Sequence, residues 1–131
     1  MKVKKISESY VKRLWIEIGE GSDIPESLCG LNFNNLVSIS KMVNEYLLSA
    51  LQTLPISYQV RIKESLRYAI NFWDEHQLER VYDGGLPIIA LPTEFSCREF
   101  YIHIWTYLFP NESYIIEDKS VYLDIGPLSA V

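Results

Sequence analysis

The sequence predicts an α+β fold. Three helices, 34–54, 57–82 and 97–109, pack on a small antiparallel sheet that includes a C-terminal hairpin, 113–125. Three observations carry this expectation. Apolar residues recur at spacings of three and four over 36–54 and 62–73, the period of a helix with one buried face. Ser96 and Glu99 stand three apart at the head of the third segment, as a capping box requires. Val121, Leu123 and Ile125 alternate with Tyr122 and Asp124, the period of a strand. A chain of 131 residues, 48% apolar and 22% charged, matches one globular domain with a core large enough to hold it.

Residues 10–18 fit two periods. Leu14, Ile16 and Ile18 alternate with Trp15 and Glu17, while Tyr10, Val11, Leu14 and Ile18 also suit a short helix ending at Gly19. The density of aromatic and β-branched residues favours a strand. That strand would be the third one a lone hairpin needs. Gly19 to Pro25 then reads as a loop.

Asn34 or Asn35 caps the first helix by accepting a backbone N–H. Its stripe is Leu36, Ser40, Val43, Leu47, Ala50 and Leu54, widened by Ile39 and Tyr46, and Pro55 stops it. The second helix buries Ile62, Leu66, Ala69, Ile70 and Trp73 and stops at Asp83-Gly84-Gly85. A turn at 55–56 makes these two helices an antiparallel hairpin.

Leu86 to Pro92 reads as an edge strand or an extended buried connection. The third helix follows Ser96 and stops at Pro110. Phe100, Tyr101, Ile102, Ile104, Trp105 and Tyr107 have strand propensity, but the capping box decides for helix. The hairpin pairs Tyr114–Ile116 with Val121–Ile125 across Glu117–Ser120.

Net charge is −5, and it is uneven. Lys2, Lys4, Lys5, Lys12 and Arg13 form a basic N-terminal arm opposed only by Glu8. Residues 14–131 hold 16 acids against 7 bases. A broad nucleic-acid face needs clustered cations, so direct nucleic-acid binding is disfavoured. Ile6-Ser7-Glu8-Ser9 interrupts any secretory apolar run, and the apolar run 101–109 is half of what a span needs, roughly 20 residues. A soluble, cytoplasmic protein without membrane contact is expected. Cys29 and Cys97 form no CxxC and read as buried free thiols.

No catalytic or metal motif is present, and no cofactor is expected. His76 and His103, with Lys119, could share proton transfer in a small hydrolase or nuclease. Cys97 and His103 lie six residues apart on one helix, so they point to opposed sides and cannot serve each other. Asp74, Glu75, His76 and Glu79 offer metal donors on one helix, but a charged solvated face is the usual explanation.

The acids are more informative. Glu17, Glu20, Asp23 and Glu26 lie on or beside the first loop with no base from 14 to 40. Asp74, Glu75, Glu79 and Asp83 form a second set, and Glu112, Glu117, Asp118 and Asp124 a third. Two such sets brought together would attract a basic partner and speed encounter. Nine tyrosines and three tryptophans supply rigid contact area.

A small, acidic, aromatic-rich chain without catalytic motifs resembles bacterial toxin-immunity proteins, particularly those of contact-dependent growth inhibition systems. The resemblance implies a non-catalytic binding protein that neutralises a basic toxin, such as a nuclease, by covering its active site. Carboxylates would then stand where nucleic-acid phosphates bind. The partner surface expected is Glu17, Glu20, Asp23 and Glu26, followed by Asp74, Glu75, Glu79 and Asp83. Two other functions remain open: the histidine-based hydrolase, and an adaptor that self-associates through an edge strand at Leu86–Pro92.

Overall fold

The computed structural model describes residues 3–128, so Lys2 lies outside the described residues. It overturns the α+β expectation. Among the described residues the molecule is mostly helical, with five helical rods and one short parallel pair of strands. The elements are β1 (Lys4–Ile6), α1 (Glu8–Ile16), α2 (Leu36–Met42), α3 (Leu48–Gln52), α4 (Ile56–Phe72), α5 (Glu75–Gly84), α6 (Cys97–Leu108) and β2 (Tyr122–Asp124). A π-helical turn, Val43–Leu47, joins α2 to α3 as one rod.

Residues 8–16 are helix, not strand. Ser7 caps α1, its hydroxyl oxygen accepting from the Ser9 N–H at 3.1 Å. The aromatic residues that suggested a strand serve packing instead. Trp15 is buried between Tyr82, Phe100 and Tyr101, with ring centroids 5.1–5.7 Å away. Its indole N–H donates to the Tyr101 hydroxyl, which donates in turn to the Leu78 carbonyl. The Tyr82 hydroxyl donates to the Ile89 carbonyl at 2.6 Å. Three polar aromatic tips are thus satisfied inside an apolar core, which offsets the cost of burying them.

The helix expected over 57–82 is two helices. Trp73 is extended (φ −78°, ψ 146°), and Asp74 caps α5 by accepting from the Gln77 N–H at 2.8 Å. The break is held from α6. Arg98 donates to the Ile70 and Trp73 carbonyls, which the break leaves without helical partners. Glu75 accepts from the Cys97 and Arg98 backbone N–H groups, completing the α6 N-terminus beside the Ser96–Glu99 capping box. Each of these side chains closes an end of a helix other than its own.

The C-terminal hairpin is absent. Residues 114–118 have no regular structure, Lys119–Val121 is a 3₁₀ turn, and β2 pairs parallel with β1 in the register Lys4↔Tyr122 to Ile6↔Asp124. The edge strand expected at Leu86–Pro92 reduces to one antiparallel bridge, Pro87 to Gly19. The first and third helices form close to their expected limits: Asn35 caps α2 by accepting from the Val37 N–H. Asn34 has a different task, its side-chain oxygen accepting from the Thr93 and Glu94 N–H groups.

The terminal strands are fastened to α4. The Ser7 N–H donates to the Ser65 hydroxyl at 3.1 Å, and the Ser7 hydroxyl donates to the Gly126 carbonyl at 2.5 Å. Glu64, only 7% exposed, accepts two bonds from Arg67, one from the Tyr122 hydroxyl and a longer one from Lys4. Among the described residues, no helix is long and apolar enough to cross a membrane.

Candidate functional site

The end of α1 and the end of α5 meet at two glycines. A Cβ on Gly19 would lie 2.0 Å from the Gly85 carbonyl oxygen, and one on Gly85 would lie 2.8 Å from the Trp15 Cβ. The seam is hydrogen-bonded through its length: the Ile88 N–H donates to Ile18, and the Glu20 N–H to the Leu86 carbonyl at 2.8 Å. It joins the segment that carries Glu17, Glu20, Asp23 and Glu26 to the one that carries Glu79 and Asp83.

The eight expected partner residues divide by what they already hold. Glu17 pairs with Arg13 one turn earlier on its helix. Asp74 caps α5, and Glu75 caps α6. These three serve the fold. Glu20, Asp23, Glu26, Glu79 and Asp83 have no side-chain hydrogen bond or ion pair among the described residues, and all five are exposed. The third acidic set is largely occupied: Glu112 by Lys63 and Arg67, Asp118 by Ser120 and Asp124 by the Gly126 N–H.

Two residues bear on this surface in ways the sequence did not show. Leu86 has a left-handed backbone (φ 54°) and is 62% exposed. A non-glycine residue rarely adopts that conformation, which costs about 1 kcal/mol or more and persists where surroundings impose it. Here the N–H of Leu86 donates to Asp83, and its carbonyl accepts from Glu20. The second is Tyr46, half-buried in the π-helical turn. Burial, then the carboxylates of Glu17 and Asp23, raise its hydroxyl above the ordinary tyrosine value. Tyr46 thus packs against the core, as its helical stripe predicts, and still feels the charge of the first acidic set. A sequence signal for Leu86 exists in hindsight: it follows Gly84-Gly85, where the chain must reverse.

The nucleophile and base candidates lie in different environments. Cys97 is buried, and burial followed by Glu75, Glu79 and Asp83 pushes its thiol up to about 12. The thiolate, which is the reactive form, is scarce at neutral pH. Cys29 is exposed, contrary to the expectation of two buried thiols. His76 is exposed in the first turn of α5, and His103 packs edge-on against Phe95 at 5.4 Å. Neither imidazole has a hydrogen-bond partner among the described residues. Lys119 lies 4.7 Å from the Phe72 ring centre. Among the described residues, no group of three or more His, Cys, Asp or Glu is placed to hold a metal.

The surface ion pairs set a pH response. Arg80, chiefly through its hydrogen bond, holds the Glu8 carboxyl below the ordinary glutamate value, and Lys63 does the same for Glu112. A carboxyl lowered on folding contributes stability above its unfolded value of about 4.3, and that stability is lost as pH falls through the lower folded value. Both pairs are solvent-exposed on one side, so each contributes about 0.2–1 kcal/mol. Urea midpoints measured from pH 6 down to 3 are expected to fall most steeply below about pH 4.3. Glu8→Gln should flatten that slope, and an unchanged slope would remove Glu8 as a contributor.

No family profile, curated protein or solved structure matches this chain.

Proposed function

We propose that this chain is a non-catalytic binding protein whose Gly19–Gly85 seam docks a basic protein partner. The observation that carries the reading is the set of five exposed carboxylates without partners, Glu20, Asp23, Glu26, Glu79 and Asp83, on segments joined by one rigid seam. A protein that needed acids only for solubility would not require them beside an exposed leucine in a strained conformation. Leu86 and Tyr46 supply apolar and aromatic contact among the charges, the composition of an interface anchor. Long-range attraction then sets the association rate, and desolvated anchors slow dissociation.

The partner that fits is a protein with a basic groove, as nuclease domains have. The class-level resemblance to contact-dependent growth inhibition immunity proteins supports a toxin as that partner and the cytoplasm as the place of action. The inhibitor would occupy the groove with carboxylates in place of phosphates.

The test uses the wild-type protein and a Glu20→Lys/Asp23→Lys variant as baits in lysate of the source cell, at low and high salt. The expected result is one basic protein held stoichiometrically by the wild type. Its nuclease activity should be suppressed by adding the purified chain. Association measured with that partner should slow about tenfold or more in the double variant at low salt, and less at high salt, where screening removes steering. Equal rates for variant and wild type at low salt would refute this surface. Retention of no basic protein would refute the reading itself.

A further inference from the structure

A second surface has the opposite charge. A groove of about 680 Å³ lies between β1 and the first half of α4. Lys4, Lys5 and Arg61 give it charge, Val3 and Val60 apolar lining, and Ser57 a hydroxyl. Arg61 is steadied by donating to the Tyr10 hydroxyl at 2.8 Å. The Lys5 ammonium has no partner among the described residues. Glu64 also borders the groove, but Arg67, the Tyr122 hydroxyl and, at 3.5 Å, Lys4 already meet its carboxylate. A ligand therefore meets net positive charge here, on a chain that carries −5 overall.

The groove follows the β1 edge away from β2, which is open at Lys5 and closed beyond it where the Ser7 N–H meets Ser65. The Tyr122 ring packs on Tyr68, so β2 lies over the later half of α4. In a parallel pair, alternate residues turn both backbone groups towards the partner strand. Ile6 is one of these, its carbonyl accepting from the Ile125 N–H at 2.9 Å. Lys4 faces β2 by the same alternation. Lys5 turns its N–H and C=O the other way, towards the groove it lines. Among the described residues, neither group bonds to backbone outside the two strands.

We propose that this groove binds an acidic peptide segment in extended conformation, added to β1 as a third strand. Main-chain bonds to Lys5 would set the register, and alternate side chains would rest on Val3 and Val60. Carboxylates on the peptide would meet Lys4, Lys5 and Arg61. A nucleic acid would find the same three cations, but its affinity depends on the number of phosphates neutralised, and the acidic remainder of the chain opposes it. This surface is independent of the acidic seam: its cations and its probe have the opposite sign, so either can fail alone.

The probe is a short capped peptide alternating Glu and Val, titrated into isotopically labelled protein and followed by backbone amide shifts. Shifts are expected at Lys5, Ser57 and Val60. Affinity should fall about tenfold in Lys5→Glu/Arg61→Gln, which removes two exposed cations and one hydrogen bond to Tyr10. A peptide N-methylated at the residue facing Lys5 should also lose affinity, because strand addition needs its N–H. A peptide with Lys in place of Glu should not bind. The proposal is overturned if no shifts occur, or if the double variant or the N-methylated peptide binds as well. Oligothymidylate binding as tightly as the acidic peptide would also overturn it, in favour of a phosphate site.

Discussion

Gly19→Ala is expected to destabilise the protein by roughly 3 kcal/mol or more, near the upper end for overpacking. The added methyl carbon would stand 2.0 Å from the Gly85 carbonyl oxygen, and this obstacle is backbone rather than a side chain that can rotate away. Relief requires the two chains to separate. Separation breaks the Glu20-to-Leu86 and Ile88-to-Ile18 hydrogen bonds and lifts Gly85 from Trp15, which anchors the aromatic core. The measurement is the urea midpoint, with Gly30→Ala as its control. A Cβ on Gly30 meets nothing within 4 Å, so that variant should stay within about 0.5 kcal/mol of wild type. An unchanged midpoint for Gly19→Ala would mean the seam is not close-packed. The acidic surface would then lose part of its base, because this contact and its hydrogen bonds join the Glu20 and Asp83 segments, beside the Trp15–Tyr82 packing and the Glu8–Arg80 pair that hold α1 to α5. Partner binding by a partly folded Gly19→Ala variant should weaken even though no carboxylate has changed.

How far this molecule could be read in its sequence depends on the range of each interaction. The caps at Asn35 and Ser96 act within a turn, and both were legible. The break at Trp73 also had a local mark, since Asp74 and Gln77 stand in N-cap and N3 positions, but a continuous apolar stripe from Ile62 to Trp73 hid it. What stabilises the break, Arg98 on the Ile70 and Trp73 carbonyls, comes from 25 and more residues away. The alternation at Tyr122–Asp124 did mark a strand. Its partner, however, is Lys4–Ile6 at the other end of the chain, and three-residue strands carry no record of pairing direction. Trp15 misled for a similar reason, because its environment comes from α5 and α6. The candidate site follows the same rule. Counting acids located the charge, but only tertiary placement reveals that Glu75 is consumed by α6 and that Glu20, Asp23, Glu26, Glu79 and Asp83 are not.

Arg67→Met is expected to destabilise the protein by roughly 3 kcal/mol, because it leaves the Glu64 carboxylate buried without its main counter-charge. Both side chains are shielded, at 13% and 9% exposure, so solvent cannot replace the lost guanidinium. Lys4 offers a contact at 3.5 Å from a side chain that is nearly half exposed. That is too weak a substitute. The same substitution removes an Arg67 bond to Glu112 and the guanidinium stacked 5.0 Å from the Trp105 ring centre. A charge-mismatch origin makes a specific demand: the double variant Glu64→Gln/Arg67→Met should recover much of the loss, since a neutral amide can still accept from Tyr122 without a buried charge. If the double variant is as unstable as the sum of its parts, packing on Trp105 rather than charge is the cause. The location of the damage is a second check. Glu64 joins α4 to both terminal strands through Lys4 and Tyr122, so limited proteolysis of Arg67→Met should cut near Lys4, Lys5 and Lys119 before the helices yield. Cleavage first within α4–α6 would place the Glu64 cluster outside the role of fastening the chain ends.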